Sequence, residues 1–403
     1  MNMTIRIVAL CAIATSAAAA PPASLLAPGA RDQVPLTLAA AQSKSLATVA
    51  LDHAPVQVSH ALDGAKMLDA APKPFVAQSR EFWSDVGETE LRTGIKITTS
   101  APGALIRLSP QGGAAASLDA AGVLIRSNGR TLTANAASTT VADAKALRSA
   151  GMDVPDGSLA FRLAASTGSG EMQIVAPHAQ GRYLVHVFEP DSLVVLSLSA
   201  DRDTTLVGGT VRFHATLANG SLALASGIVT APDGYSANLR FTRSSDGSFS
   251  AAFTPDAAHS VGPQLWEAHA FTATRSGSLS VLRDAKTAFA VSAPTARFGG
   301  DVQIANDASG MHVALGITAA NASRYQASGA LYGTGADGAL HPAALAQSAA
   351  WLTAGNGKID LSFDTQALSA SGLHAPFELR DLRLVDQENM SLIERRERAL
   401  AIN

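Results

Sequence analysis

Residues 207–256 read VGGTVRFHATLANGSLALASGIVTAPDGYSANLRFTRSSDGSFSAAFTPD, and this stretch decides the fold. Short runs of alternating apolar and polar residues are separated by turn-forming pairs such as Asn219-Gly220 and Asp246-Gly247. Alternation with a period of two indicates a strand with one buried face, and Gly, Asn, Asp and Pro at regular intervals indicate tight turns. Short strands with this spacing are typical of an antiparallel β-sandwich.

The same pattern, followed in both directions, divides the chain into three β-rich domains. Residues 191–294 are predicted to form an immunoglobulin-like sandwich with Trp266 in its core, and residues 295–403 a C-terminal immunoglobulin-like sandwich. Residues 51–190 are predicted to form a β-rich N-terminal domain with one short helix, Val141 to Ser149. We therefore expect a mostly β fold.

Within the N-terminal domain, local signals predict individual strands. Asn128-Gly129 between two apolar runs predicts a hairpin with a tight turn. A strand that includes Leu105 and Leu108 is predicted to stop at Pro110, because proline lacks the N–H that a sheet requires. The last two strands, Glu171 to Val175 and Tyr183 to Phe188, are predicted to form a pair.

The N-terminus has the pattern of a secretory signal peptide. Arg6 precedes a short apolar run and then a series of small residues, which predicts a signal peptide over residues 1–19 with cleavage near Ala18 or Ala19. Residues 20–50 are rich in Ala, Pro, Ser and Leu and are predicted to be a flexible lead-in. We expect a periplasmic or secreted protein with no membrane insertion after cleavage.

Charge and cysteine content exclude several classes of function. The chain carries 30 basic and 33 acidic residues, and a near-neutral surface gives no electrostatic reason to expect nucleic acid as a partner. The single cysteine, Cys11, lies inside the predicted signal peptide. The mature chain is therefore expected to have no disulfide, thiolate metal site or cysteine nucleophile.

Several short motifs carry a resemblance to known proteins. Val207-Gly208-Gly209-Thr210, Asp246-Gly247-Ser248-Phe249 and Trp266-Glu267-Ala268-His269 resemble the immunoglobulin-like, macroglobulin-type modules of bacterial surface and secreted proteins. Ala330-Leu331-Tyr332-Gly333 and Phe377-Glu378-Leu379-Arg380-Asp381-Leu382 resemble the C-terminal sandwich of the same proteins. The whole arrangement is similar to an uncharacterised family of exported bacterial proteins, a domain of unknown function, and this resemblance implies no activity.

We expect no catalytic residues, no cofactor and no metal ligands. The sequence has no Gly-x-Ser-x-Gly elbow, phosphate loop or His-Glu-x-x-His pair. Calcium is the one alternative cofactor, since Asp201 and Asp203 precede a glycine turn and Asp381, Asp386 and Glu388 cluster near the C-terminus. Neither group has the spacing of a calcium loop, and aspartate is also a common turn residue.

Four residues form the candidate binding surface: Trp83, Arg80, Glu267 and His269. On a strand, Glu267 and His269 lie on one face and Trp266 on the other. We expect Glu267 and His269 to face solvent, and we expect Trp83 to be an exposed contact.

The sequence thus predicts an exported, non-enzymatic interaction or scaffold protein that uses tandem β-sandwich modules. Its partner is expected to be a protein or an envelope polysaccharide. One alternative is a secreted hydrolase with its site in the N-terminal domain. Another is an accessory protein or inhibitor of a secreted enzyme.

Overall fold

A computed structural model of the chain describes residues 23–40, 52–64, 73–112, 117–259 and 264–403. The predicted signal peptide and part of the predicted lead-in lie outside these residues. None of the helices in the described part of the chain is long and apolar enough to cross a membrane.

The described residues form 27 strands and four α-helices, with a short 3-10 turn at Ala165–Thr167. The strands up to the end of the N-terminal domain are β1 (Val56–Ala61), β2 (Val76–Ser79), β3 (Glu81–Gly87), β4 (Ile95–Thr99), β5 (Leu105–Gln111), β6 (Leu124–Ser127), β7 (Arg130–Thr133), β8 (Ser138–Asp143), β9 (Leu159–Leu163), β10 (Gly170–Val175) and β11 (Arg182–Phe188). The middle strands are β12 (Val195–Ala200), β13 (Thr204–Leu206), β14 (Val211–Ala218), β15 (Ser221–Thr230), β16 (Ser236–Arg240), β17 (Thr242–Arg243), β18 (Phe249–Phe253), β19 (Trp266–Ser276) and β20 (Leu279–Ser292). The last strands are β21 (Ala296–Asp307), β22 (Gly310–Ala319), β23 (Ser323–Thr334), β24 (Leu340–Leu352), β25 (Gly355–Asp364), β26 (His374–Asp386) and β27 (Ser391–Ile402). The helices are α1 (Glu88–Thr93), α2 (Ala134–Ala137), α3 (Ala144–Ser149) and α4 (Thr365–Ser371).

The strands form three pairs of sheets. The N-terminal pair has the strand orders β3-β11-β5-β9-β8 and β4-β10-β6-β7, and the middle pair has β17-β18-β14-β12-β2 and β13-β20-β19-β15-β16. The C-terminal pair has β1-β24-β23-β26-β27 and β21-β22-β25. Neighbouring strands in these sheets are antiparallel, apart from β13 and β20, which are parallel.

Each pair of sheets encloses one apolar core, which makes it a β-sandwich. Phe82 and Tyr183 lie in the N-terminal core. Phe213 and Trp266 lie in the middle core, where the Trp266 side chain is 1% exposed. Tyr325 lies in the C-terminal core. The mostly β, sandwich-rich fold expected from the alternation is therefore confirmed.

The N-terminal domain differs from its prediction in its helices. It contains three short α-helices, α1 to α3, within the described residues, not one. The predicted helix over Val141 to Ser149 begins only at Ala144, because Val141 to Asp143 continue β8 and Asp143 then caps the helix by accepting a hydrogen bond from the Ala146 N–H. An Asp at this position stabilises the first turn by pairing an amide that the helix itself leaves free.

Two strand predictions in this domain are wrong. Strands β10 and β11 do not pair with each other, since β10 lies between β4 and β6 while β11 lies between β3 and β5. Strand β5 runs through Pro110 to Gln111 and does not stop there. The hairpin at Asn128-Gly129 is confirmed, with β6 paired to β7 and positive φ angles of 50° and 73° at its two turn residues.

The lead-in and the first two strands of the region predicted to be the N-terminal domain pack against later domains. Strand β1 pairs with β24 of the C-terminal sandwich, and β2 pairs with β12 of the middle one. Residues 23–40 lie along the C-terminal sandwich, where Ala23 bridges to Val302 and Gln33 bridges to Arg395. Part of the stretch predicted to be a flexible lead-in is therefore hydrogen-bonded to the end of the chain, and Leu36 is 91% exposed and lies outside any strand.

Candidate functional site

The outer face of the N-terminal sheet carries a row of three side chains that contact one another. Trp83 on β3, His186 on β11 and Arg107 on β5 stand side by side because the strand register pairs them. The Trp83 and His186 rings stack with centroids 3.8 Å apart, and the Arg107 guanidinium lies 5.2 Å from the Trp83 ring centre. Such contacts of a cation and an imidazole with an indole hold the half-buried Trp83 ring in one orientation.

Glu81 extends this row toward the middle domain. Its Oε2 lies 2.8 Å from Nε2 of His186. This hydrogen bond is the main reason why the pKa of Glu81 is lowered from its usual value, with burial opposing the effect. Glu81 is thus a carboxylate held in its ionised form at the edge of the N-terminal domain.

The middle domain contributes the outer face of β19 and β20, next to the edge strand β3. His269 on β19 lies opposite Lys286 on β20, and Phe271 lies opposite Asp284. Asp284 crosses the boundary between domains, because its Oδ2 accepts a hydrogen bond of 2.8 Å from the backbone N–H of Trp83 on the edge strand β3. The same oxygen lies 3.9 Å from Nε2 of His269. We call this set of side chains the junction cluster: Glu81, Trp83, Arg107, His186, His269, Asp284 and Lys286.

Burial shifts two groups of the junction cluster in opposite directions. The side chains of Asp284 and His269 are 7% and 12% exposed. Burial raises the pKa of Asp284 to about 7, and the nearby Glu81 carboxylate adds to this while the Trp83 N–H opposes it. Burial, with help from the positive charge of Lys286, lowers the pKa of His269 to about 4. In both cases the low-dielectric surroundings disfavour the charged form.

The His269 imidazole has a further unusual feature. Its Nε2 is buried and has no hydrogen-bond partner within the described residues. With its lowered pKa the imidazole stays neutral near pH 7, so the neighbouring Asp284 carboxyl is the group that can take up or release a proton there. Shifted groups that converge where two domains meet mark a candidate functional site.

A buried ion pair lies beside the cluster and joins the two domains. Arg283 Nη1 is 2.8 Å from Glu189 Oε1, and both side chains are 0% exposed. The other carboxylate oxygen of Glu189 accepts hydrogen bonds from the backbone N–H and the hydroxyl of Ser100 and from the Ala101 N–H. Arg283 also donates to the Val194 carbonyl and the Ser192 hydroxyl. Because nearly all of these polar groups are paired, the charges can stay buried.

The residues of the candidate binding surface gather near this junction. Arg80 donates from Nε to the Ser192 carbonyl at 2.9 Å, and Glu267 pairs with Lys286 at 2.9 Å with both side chains about half exposed. His269 does not face solvent as expected, since its side chain is only 12% exposed and lies 3.9 Å from Asp284. Trp83 is half-buried and in contact with His186 and Arg107 rather than free. Whether this surface binds a partner stays a prediction.

Sequence reasoning missed Asp284, Arg283 and Glu189. One signal was available in the sequence of β20. Arg283 lies between Val281 and Ala285 on the buried face of this strand, where the alternation predicts an apolar residue. A charge on the core-facing side of a strand indicates a buried partner. The sequence does not say that the partner is Glu189 in another domain.

Two of the carboxylates considered for calcium, Asp386 and Asp381, are occupied by protein donors. Asp386 is fully buried and accepts hydrogen bonds from Thr295, Ser323 and Asn389. Asp381 pairs with Arg383 and Arg395. Across the described residues no group of three or more His, Cys, Asp or Glu side chains is placed to hold a metal ion. Calcium binding is not tested by this arrangement.

The fold and the junction define a multidomain protein of antiparallel β-sandwiches whose first two domains are joined by buried polar contacts. Two family models match the chain: the N-terminal domain of DUF4785, a domain of unknown function, over residues 47–189, and the C-terminal domain of DUF4785 over residues 295–403. The chain belongs to the DUF4785 family. No curated protein matches it in sequence.

One solved structure supports the same assignment of fold. A DUF4785 family protein from Legionella pneumophila subsp. pneumophila strain Philadelphia 1 has a TM-score of 0.70 and 18% identity, over 87% of this chain and 94% of that one. Trypsin-activated alpha-2-macroglobulin from Escherichia coli is 14% identical over 76% of this chain and 22% of that chain, with a TM-score of 0.18. A tetra-tandem repeat from the extending region of a large adhesion protein is 15% identical over 72% of this chain and 68% of that chain, also with a TM-score of 0.18. At these identities the likeness to the Legionella protein concerns the fold alone, and the other two carry no argument.

Proposed function

We propose that this protein is an exported, non-enzymatic scaffold that presents its β-sandwich modules to a protein or envelope polysaccharide partner. The observation that carries the proposal is the fully buried ion pair between Arg283 and Glu189. A buried pair of this kind fixes the orientation of the groups that it joins, since neither charge can leave its partner without a large desolvation cost. A scaffold gains from such a joint because its binding surfaces then stay at a fixed separation.

The contacts around this pair favour a structural use of the charges. Glu189 and Arg283 direct their hydrogen bonds to Ser100, Ser192 and backbone groups of the two domains. The Trp83 N–H on the edge of β3 is likewise taken up by Asp284. An edge strand that is covered in this way is protected from uncontrolled pairing with other chains.

The test is in-cell cross-linking of the tagged full-length protein, followed by identification of what is captured. Glu189→Gln breaks the buried pair, and the control Asp156→Asn removes an exposed ion pair with Arg148 away from the candidate binding surface. We expect one dominant partner with the wild type and with Asp156→Asn, and a clearly lower yield with Glu189→Gln. Capture of background only by the wild type would contradict the scaffold function.

A hydrolase is the second candidate, and the junction cluster is the observation that favours it. A carboxyl with a pKa of about 7 lies next to an imidazole with a pKa of about 4, and a general acid or base works best when its pKa is near the working pH. The cluster lies between the N-terminal and middle domains, whereas the sequence placed such a site in the N-terminal domain.

The two candidate functions differ in the effect expected when the Asp284 carboxyl is replaced by an amide. A hydrolase that uses this carboxyl loses turnover of a model ester, peptide or glycoside substrate in the Asp284→Asn variant. A scaffold shows no turnover with either form of the protein. Hydrolysis by the wild type that disappears in Asp284→Asn would therefore replace the scaffold with the hydrolase.

A further inference from the structure

A pocket of about 690 Å³ opens on the C-terminal sandwich and contains no residue of the junction cluster. A pocket that holds a small organic ligand usually measures roughly 300–1,000 Å³. This pocket is therefore large enough for more than a single inorganic ion. We call it the bulge pocket, and its lining is residues 297–303 of β21, 316–318 of β22 and 356–358 of β25, with Val34, Pro35 and Arg396.

The bulge pocket lies where β21 leaves its regular pairing with β22. The pairing stops at Phe298 and resumes at Val302. Residues 299–301 therefore lie opposite the single residue Gly316 of β22. A Cβ on Gly316 would be 3.2 Å from the carbonyl oxygen of Asp301, so this glycine lets the bulge come close to the neighbouring strand. Such a bulge bends its strand and interrupts the regular surface of the sheet.

Gly300, in the middle of the bulge, is a glycine that the backbone does not require. Its φ lies outside the left-handed region, and a Cβ built there would meet no other atom within 4 Å. A side chain at this position would fit the fold and would extend into open space beside the pocket. Glycine at such a position leaves the backbone open to close approach by a ligand.

Two cations of the bulge pocket, Arg297 and Lys358, form no ion pair within the part of the chain that the structure describes. Both side chains are exposed. Lys358 reaches from β25 across β22, and its Nζ lies 2.9 Å from the side-chain oxygen of Gln303 on β21. Because this amide is neutral, it leaves the charge of the ammonium uncompensated. Arg297 is attracted by the buried Glu394, but that carboxylate already pairs with Arg396 at 2.7 Å.

Arg297 and Lys358 lie on the same face of the sheet. Arg297 is opposite Thr318, and Lys358 is opposite Gly316, two residues earlier on β22. Residues that are opposite each other, or two apart on one strand, share a face. Strands β21 and β25 are about 10 Å apart, with β22 between them. Since Gly316 has no side chain, the two long cationic side chains can reach one anion from opposite sides of it.

The remaining polar groups of the pocket suit hydroxyl groups. The Thr318 hydroxyl donates to the Asn356 Oδ1 at 3.1 Å, and the Asn356 amide nitrogen then remains as a donor. Asp301 supplies the one carboxylate of the lining, and it is exposed. A carboxylate is an acceptor for hydroxyl groups, whereas it repels an anion that comes close. The lining therefore offers separate places for a negative group and for hydroxyls.

We propose that the bulge pocket binds an acidic sugar unit of an envelope polysaccharide, with its carboxylate or phosphate group between Arg297 and Lys358. Hydrogen bonds from these cations to an anionic group are stronger than those between neutral groups. Asn356 and Asp301 then serve the hydroxyl groups of the sugar. This inference rests on the proposed scaffold function and deepens it, since it gives the chemistry of the partner and the place where it binds.

The experiment is isothermal titration calorimetry of the purified full-length protein with three glycans. Tetragalacturonate is the carboxylate probe, mannotetraose 6-phosphate is the phosphate probe and maltotetraose is the neutral control. Arg297→Gln and Lys358→Gln each remove one charge from the pocket. The matched controls Arg240→Gln and Lys96→Gln remove exposed charges on β16 and β4. Thermal denaturation shows that each variant is folded.

We expect the wild type to bind at least one acidic glycan, more weakly as salt is added, and to leave maltotetraose unbound. Arg297→Gln and Lys358→Gln should each weaken binding about tenfold, and the two controls should bind like wild type. Binding of the carboxylate probe alone assigns a uronate, and binding of the phosphate probe alone assigns a sugar phosphate.

Gly300 gives a test that leaves the charges in place. Gly300→Gln should abolish binding, because its side chain extends into the pocket where the backbone accepts it without strain. Gly300→Ala adds only a methyl group and should retain most of the affinity. Equal binding by both variants would contradict a ligand at this position.

Three results would overturn the proposal. The wild type binds neither acidic glycan; or Arg297→Gln and Lys358→Gln bind like wild type; or inorganic phosphate or acetate binds as tightly as the corresponding glycan, in which case the sugar adds nothing. Failure of the scaffold function is a different result. If cross-linking in cells captures a dominant protein partner while the purified chain binds no acidic glycan, the scaffold stands and the bulge pocket does not. If cross-linking captures background only while the titrations succeed, the pocket stands and the scaffold does not.

Discussion

Replacing His269 with Gln should uncover a pH dependence of stability that the wild-type junction cancels. Between about pH 4 and 7 the folded protein holds a proton on Asp284 that the unfolded chain has released, because burial raises the pKa of that carboxyl from 3.8 to about 7. Folding stability due to Asp284 therefore falls as the pH rises through this range.

His269 has the opposite effect. Burial lowers its pKa from 6.5 to about 4, so between these values the unfolded chain holds a proton that the folded protein lacks. Stability due to His269 therefore rises with pH. Each group changes the free energy of unfolding by about 1.4 kcal/mol per pH unit. The two slopes cancel from about pH 4 to 6.5, and only the Asp284 slope remains from about 6.5 to 7.

The two single variants should separate these slopes. Relative to wild type, the free energy of unfolding of His269→Gln should fall by about 3 kcal/mol between pH 4 and 6.5, because only the Asp284 slope is left. The free energy of unfolding of Asp284→Asn, relative to wild type, should rise by a similar amount over the same pH range. Asn keeps an oxygen that can accept from the Trp83 N–H, so the variant removes the titration without removing that hydrogen bond.

The assay is urea denaturation followed by tryptophan fluorescence at half-unit pH steps, with each variant compared with wild type. His214→Gln, at an exposed position on β14, is the matched control and should run parallel to wild type. The reasoning is refuted if the free energy of unfolding of both His269→Gln and Asp284→Asn follows the same pH dependence as wild type. The two buried groups would then not have shifted pKa values.

Three further substitutions test the packing that supports the site. Glu189→Gln should lower the free energy of unfolding by about 3–5 kcal/mol, because it leaves Arg283 buried without its countercharge; a loss under about 1 kcal/mol in chemical denaturation would contradict this. Trp266→Ala should cost about 3–5 kcal/mol through the cavity in the middle core, measured in the same way, and an unchanged transition would place Trp266 outside the core. Gly129→Ala should cost about 1 kcal/mol, because φ is 73° there and the space around it is empty; a neutral effect on the melting temperature would argue against this turn.

The parts of the fold that depend on neighbouring residues were predictable from the sequence. The turn at Asn128-Gly129 and the pairs around Asp246-Gly247 each join strands that follow one another, so turn chemistry and alternation indicate them together. Strand β24 gives no such local signal. Its sequence, LHPAALAQSAAWL, is rich in alanine and has no clean alternation, so a strand cannot be told from a helix by pattern alone.

Pairings between distant parts of the chain were not predictable. Strands β10 and β11 follow each other in sequence, yet they enter different sheets. Local pattern indicates that a strand exists and which of its faces is apolar, but many partners fit the same pattern. The same limit explains the site. Arg80 with Trp83, and Glu267 with His269, are close in sequence, but the convergence of the two pairs near Asp284 depends on how two domains meet.

The charged C-terminal run, Ser391 to Ile402, packs against residues from near the start of the chain. The run forms β27, in which Glu394 is fully buried. Glu394 accepts from Arg396 and from the Phe298 N–H, while Arg396 donates to the carbonyl of Leu26, near the other end of the chain. A buried carboxylate and guanidinium are tolerated only when their partners are complete. Residues 23–40 therefore complete one side of the C-terminal sandwich and β1 the other, so the stable unit is this sandwich together with both N-terminal segments.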